Sequence, residues 1–180
     1  MWIFGHLGMG SQLAAPFSKR LPFGWLLLGT LLPDLIDKPL YYGLVLLTGK
    51  HSDALGLISC TRTVGHTGIF LLCILLLAWI RKSKILAAIG LGIATHLMLD
   101  GLQDRWFLMH GSVGPSATLW AVVYPYFGRF ASMPFDSASA HLQTVKQPFI
   151  LAAEGIGFLL LFWNYWKRRM MGTRSKVKRL

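Results

Sequence analysis

The stretch ILAAIGLGIATHLMLDGL, residues 85–102, carries one formal charge, Asp100, in an otherwise apolar run. An α-helix needs about 20 mainly apolar residues to cross the hydrocarbon of a bilayer, so the stretch predicts a membrane-spanning helix. It also contains a conflict. His96 and Asp100 lie four apart, on one helical face, in a setting where an ionisable group is costly and by default marks a function with a partner. The pattern recurs along the chain: Asp34 and Asp37 are three apart, and Arg62 and His66 four apart. Only seven Asp and Glu occur in the whole sequence, and three of them fall in these pairs. Acids concentrated where the chain can least tolerate them point to an intramembrane metal site.

Composition supports the membrane reading. Of 180 residues, 54% are apolar and 14% charged, against roughly 25% charged in an ordinary soluble domain. This describes one polytopic membrane domain, residues 1–166, followed by a basic tail, residues 167–180. The net charge is +11, and seven of the 18 basic residues lie in that tail. A basic run directly behind an apolar segment is the usual cytoplasmic flank of a membrane helix, with affinity for anionic lipid. No basic face exists elsewhere, which argues against nucleic acid as a partner. Cys60 and Cys73 fit neither zinc nor redox spacing and are expected as small core residues. The N-terminal stretch lacks a basic start and is not expected to act as a signal peptide.

Five segments predict an all-α helical bundle of about five spans: Met1 to Phe17, Leu21 to Ile36, Arg62 to Ile80, Ile85 to Leu102, and Pro148 to Trp166. Leu40 to Thr48 and Leu119 to Phe130 are too short to span and read as interfacial pieces, the second with Trp120, Tyr124 and Tyr126 at headgroup level. Lys19-Arg20, Arg81-Lys82-Lys84 and the tail hold twelve basic residues and no acid. Placing them in the cytoplasm puts the N-terminus outside and the C-terminus inside. Asp34, Asp37, Arg62, His66, His96, Asp100 and Asp104 then all fall on the outer side, with His6 in the outer half of the first span. The segment from Asp104 to Gln147 reads as an outer loop that caps this polar site.

Each constellation has a plainer alternative. His96 and Asp100 can clamp one metal ion, the carboxylate can orient the histidine from behind, or the two form a simple buried hydrogen bond. Asp34 and Asp37 follow Pro33 on one face, where two like charges repel unless a cation lies between them. The alternative is a polar exit of the span, with Asp37 paired to Lys38. Arg62 offers a planar fork for phosphate or carboxylate, or snorkels to the interface. His6 is a ligand candidate only through its placement with the others; alone, it would be a satisfied core residue. His51, His110 and His141 read as surface residues, though His110 lies within reach of Asp100. Glu154 sits in the fifth span with no assigned partner. No nucleophile elbow, glycine-rich phosphate loop or HExxH motif is present.

Taken in order, Gly5-His6, Leu32-Pro33-Asp34-Leu35-Ile36-Asp37, Arg62-Thr63-Val64-Gly65-His66-Thr67 and His96-Leu97-Met98-Leu99-Asp100 resemble the YdjM-like family of membrane proteins, described as predicted metal-dependent hydrolases. A Trp–Pro element at Trp120 to Pro125 extends the resemblance, which covers roughly residues 5–125. That family is distantly similar to zinc-dependent phospholipase C and related nucleases. The resemblance implies His6, Asp34, His66, His96 and Asp100 as metal ligands. A second His-x-x-x-Asp/Glu is not evident, and Gly101-Leu102-Gln103-Asp104 replaces the usual Ser- or Thr-containing stretch, which implies one or two ions rather than three.

The expectation is therefore a membrane-bound, metal-dependent hydrolase in a bacterial inner membrane, its site facing outward. Its substrate would be a lipid or lipid-linked phosphoester and its metal Zn2+, with Mn2+ as the alternative. Asp37 or Asp104 would act as general base, and Arg62 would hold the anionic head of the substrate. The competing expectations are non-enzymatic metal or proton transport, which needs ionisable groups through both halves of the membrane, and a structural protein with polar glue between helices.

Overall fold

Proline does not end the second apolar segment. In the computed structural model, which describes residues 2–50, 54–55, 58, 61–109 and 146–177, one helix runs from Phe23 to Thr48 through both Pro33 and Pro39. Each proline removes one backbone donor, which membrane helices tolerate when neighbours cover the freed carbonyls. The helix ends at Gly49, whose φ of 66° is the left-handed geometry that glycine adopts freely. This corrects the expected break after Ile36: Leu40 to Thr48 is the last two turns of that helix, not a separate interfacial piece. Five α-helices form among the described residues: α1 (Ile3–Ala14), α2 (Phe23–Thr48), α3 (Gly68–Ile80), α4 (Lys84–Met109) and α5 (Pro148–Val177). No strand occurs among the described residues. The regular structure of the described residues is thus all helical, as expected.

A second correction concerns the third segment. Helix α3 starts at Gly68, not at Arg62, because the Thr67 hydroxyl caps it by accepting the Phe70 amide at 3.0 Å. Residues 61–67 are a non-helical connection, so Arg62 and His66 do not share a helical face. Cys73, expected in the core, faces outward on α3. Cys60, Leu119 to Phe130 and nearly all of the expected capping loop lie outside the described residues. Helix α5 continues to Val177, through most of the stretch expected to form a separate basic tail.

Helix α4 packs against α1, α2 and α3, and α1 bridges α2 and α5. Glycine sets the spacing. A methyl on Gly29 would overlap the Ile89 carbonyl, and one on Gly92 would overlap the Leu26 carbonyl, so α2 and α4 touch backbone to backbone. The same holds for α1 and α5, where Gly8 lies on Gly157 and Gly157 on the Phe4 carbonyl. Close approach through small residues is the usual route to tight helix pairing where lipid weakens the hydrophobic drive. Glu154 then caps α1 from a neighbouring helix. Its carboxylate accepts the amides of Trp2 (2.8 Å), Phe4 (2.8 Å) and Gly5 (3.0 Å), donors that the first turn of any helix leaves unpaired. The partner that sequence reading could not assign to Glu154 is a helix end.

Polarity is inverted relative to a water-soluble core. Thr30, Asp37, Thr63, His66 and His96 are fully buried, while Leu72, Leu76, Trp79, Leu159, Phe162 and Trp163 are exposed. Among the described residues two helices are long and apolar enough to cross a membrane, over Lys84–Gln103 and Pro148–Lys167. Helix α3 is apolar but has 13 residues, and α2 carries Asp34, Asp37 and Lys38 near its middle.

Gly8→Ala should lower the melting temperature of the detergent-purified protein sharply, since its methyl meets rigid backbone. Gly155→Ala, two residues from Gly157 but facing open space, should leave it unchanged or raise it, because alanine favours helix by up to about 1 kcal/mol. Equal losses at both positions would contradict the α1–α5 contact.

Candidate metal centre

Four segments that are far apart in sequence meet at one buried point. His6 comes from α1, Asp34 and Asp37 from α2, Arg62 and His66 from the connection before α3, and His96 and Asp100 from α4. The close α2–α4 approach at Gly29 and Gly92 lets His96 reach α2. Its Nδ1 lies 2.8 Å from the Thr30 carbonyl. Gly65 does the same for the connection: a Cβ there would crowd Pro33 at 2.9 Å.

Asp37 organises that connection. Its Oδ2 accepts the Thr63 amide at 2.7 Å and the His66 amide at 3.1 Å; its Oδ1 accepts the Gly65 amide at 2.9 Å and the Thr63 hydroxyl at 3.3 Å. Oδ2 also lies 2.7 Å from His66 Nδ1. Both oxygens of a fully buried carboxylate are therefore occupied. This argues against Asp37 as general base and gives it the task of positioning His66. The expected alternative, pairing of Asp37 with Lys38, is also corrected: Lys38 Nζ binds Asp34 Oδ2 at 2.7 Å, one helical turn back. The two like charges of Asp34 and Asp37 are separated because each takes a different partner.

The hydrogen bonds fix the histidine tautomers. A carboxylate and a carbonyl only accept, so Nδ1 of His66 and Nδ1 of His96 each carry a proton and donate it. In the neutral rings, both Nε2 atoms then present lone pairs. These two atoms face each other at 3.0 Å. Lone pairs at that distance repel unless a proton or a cation lies between them. Around them, His66 Nε2 is 3.5 Å from Asp34 Oδ1 and 3.6 Å from Asp100 Oδ2, and His96 Nε2 is 3.5 Å from Asp100 Oδ2. His6 stacks on His96 with ring centroids 3.9 Å apart, and its Nε2 is 3.4 Å from Asp100 Oδ1. Its Nδ1 is buried and has no hydrogen-bond partner among the described residues.

These positions form two overlapping ligand groups, His6, His96 and Asp100, and Asp34, His66 and His96, each with donor atoms within 4.8 Å of one another. All five residues expected as ligands thus converge, and the donor set fits a metal. Three imidazoles and two carboxylates are the nitrogen and oxygen ligands that suit zinc and its first-row neighbours. Histidines with their second nitrogen held by a carboxylate or a carbonyl are the usual support for such ligands. Arg62 also belongs to the centre, its Nη2 3.1 Å from Asp100 Oδ2. Asp104 lies one turn beyond Asp100 in α4, and its side chain is outside the described residues, as are His51, His110 and His141.

Sequence reading missed two contributors. Thr30 acts through its carbonyl, which leaves no side-chain signal. Lys38 lies at i+4 from Asp34, a spacing that signals the pair, whereas the sequence offers it only as an alternative partner of the adjacent Asp37. No protein-family model matches the chain, and neither does any curated protein or solved structure.

Asp37→Asn should weaken divalent-metal affinity by about 10- to 100-fold, the usual effect of removing a carboxylate behind a ligand histidine. Metal titration of the detergent-solubilised protein, with melting temperature measured alongside, checks this. Wild-type affinity in the variant would show that Asp37 does not orient His66.

Proposed function

We propose that this protein is a membrane-embedded, metal-dependent hydrolase of phosphoesters, related to the YdjM-like family. The observation that carries the proposal is the pair of tautomer-locked imidazoles whose Nε2 atoms face each other at 3.0 Å, flanked by Asp34 and Asp100. A structural pair would sooner place a donor against an acceptor. Two acceptors aimed at one point, with carboxylates on either side, suit a cation.

His6, Asp34, His66, His96 and Asp100 would hold the ion, most simply one ion, with a second accommodated through the two oxygens of Asp100. Zn2+ is the favoured species and Mn2+ the alternative. When bound, a divalent ion supplies Lewis acidity and an ionised water at neutral pH. The protein supplies the rest. Asp37 and the Thr30 carbonyl hold the two rings in their working tautomers. Arg62 keeps Asp100 charged and oriented, and Lys38 does the same for Asp34. With Asp37 committed to His66, Asp104 is the carboxylate left for the role of general base.

Membrane embedding as a bundle of about five spans is supported by the inverted polarity of the fold and by the apolar lengths of α4 and α5. The basic clusters support an orientation with the N-terminus outside, the C-terminus in the cytoplasm and the metal centre toward the outer face of a bacterial inner membrane. That position favours a lipid or lipid-linked substrate, with anionic lipid against the basic end of α5. Transport is less well supported. In the α1–α5 seam the one acid among the described residues, Glu154, is taken up by the amides that open α1, and the other polar groups are neutral: Gln12 Nε2 donates to Asn164 Oδ1 at 3.0 Å and Asn164 Nδ2 to Ser11 Oγ at 2.8 Å. They tie helices together and continue no ionisable path among the described residues.

Elemental analysis of purified wild type should find about one or more equivalents of zinc or manganese, lost in folded His96→Ala and Asp100→Ala variants. Hydrolysis of a chromogenic phosphodiester such as p-nitrophenyl phosphocholine should fall at least about 100-fold in both. Well-folded wild type that takes up no metal even after reconstitution would overturn the hydrolase reading and leave a structural role for the polar core.

A further inference from the structure

Among the described residues the histidines and Asp100 are nearly closed off, and the partly exposed groups of the centre are Lys38, Asp34 and, at 11%, Arg62. The side chains of His6, His66, His96 and Asp100 are 0–3% exposed, whereas Asp34 is 16% and Lys38 26% exposed. Of these groups, the Asp34–Lys38 pair on α2 is the most exposed part of the centre. The next residue on that face is Tyr42, since Asp34, Lys38 and Tyr42 follow at intervals of four on a continuous helix. The Tyr42 hydroxyl is enclosed and has no hydrogen-bond partner among the described residues, although its ring packs edge-on against Tyr41 at 5.4 Å. A buried hydroxyl without a partner costs roughly 1–3 kcal/mol, so an unmade bond here calls for a ligand to make it. Asp34 lies close enough to act electrostatically on this hydroxyl.

Charge identifies the kind of ligand. Asp34, Asp37 and Asp100 face Lys38 and Arg62, which with neutral imidazoles leaves one net negative charge in the pocket. A bound dication turns this into one net positive charge. A desolvated pocket of that sign favours an anion. Lys38 can also serve it directly, because an ammonium carries three donors and Asp34 takes one. Trp2 lies beneath the ammonium, with its ring centroid 5.9 Å from Nζ.

Resting on the metal reading above, we propose that Tyr42 and Lys38 form the oxyanion-binding edge of the centre, donating to the non-bridging oxygens of a phosphate group. Tyr42 is a specificity residue, and its hydroxyl contributes to ligand binding and not to the fold. The phosphate is either free or the headgroup of a lipid; both present the same oxygens to this edge.

The test uses full-length protein in neutral detergent, loaded with Mn2+, whose paramagnetism broadens the 31P signal of any phosphate bound beside it. Inorganic phosphate and short-chain phosphatidic acid in the same micelles serve as separate probes. Tyr42→Phe should weaken binding of whichever probe is broadened by about tenfold or more, the scale for one hydrogen bond to a charged group. Manganese content should stay at the wild-type level, and the melting temperature should be unchanged or higher. Lys38→Gln should weaken binding as well. Broadening of the lipid probe alone identifies a headgroup site, and broadening of both identifies the phosphate itself; either supports the proposal when Tyr42→Phe reduces it. Wild-type affinity in Tyr42→Phe overturns this proposal and leaves the metal centre standing, as does a Mn2+-loaded wild type that broadens neither probe. A wild type that takes up neither Mn2+ nor Zn2+ overturns both.

Discussion

The carboxylate of Asp37 is the contact on which the remainder of the centre depends. Five donors converge on it from residues 63–66, three of them backbone amides. Without it, the connection between α2 and α3 would bury several amides with nothing to accept them, at a cost of roughly 1–3 kcal/mol each. With it, seven residues that form no helix become a fixed ledge that presents His66 to α4. Its negative charge is in turn tolerable in the interior only because so many donors surround it. The ledge and the carboxylate therefore stabilise each other, and removing either strands the other.

That arrangement also sets the order of the helices. His66 points at His96 only if α4 stands close to α2, and α4 can do so only because Gly29 and Gly92 have no side chains. Helix α1 brings His6 onto the face of His96 and is itself held by Glu154 and by the Gly8–Gly157 contact with α5. Backbone contact, a borrowed carboxylate cap and a shared polar centre are the cohesion expected of helices whose outer surface is apolar and whose attraction cannot rest on hiding that surface from water. The exposed leucines and aromatics on α3 and α5 agree with the same account.

Local pattern made much of this legible. Helical spacing placed His96 above Asp100 correctly, because both lie in one unbroken helix. It failed for Arg62 and His66, where Thr67 caps α3 and the preceding residues wrap around Asp37. It failed again for Leu40 to Thr48, which reads as a separate interfacial piece but continues α2 through Pro33 and Pro39. Glu154 offered no sequence clue, since its partners are amides at the start of α1, 149 to 152 residues away. The alternative reading that pairs Lys38 with its neighbour Asp37 fails because the helix favours the residue one turn back.

Residue chemistry alone determined that the chain is helical and apolar and that its scarce acids and histidines fall where burial makes them costly. Those properties are local: composition, a 3.6-residue period and the price of a charge in a greasy segment can be read without knowing any neighbour. Tertiary structure alone decided which carboxylate serves which histidine, that both oxygens of Asp37 are taken up by residues 63–66, and that Asp34 and Lys38 are the more exposed members of the centre. Such assignments depend on how near two helices come and which way each side chain must turn to find a partner. That is a property of segments meeting in space, governed here by a few glycines.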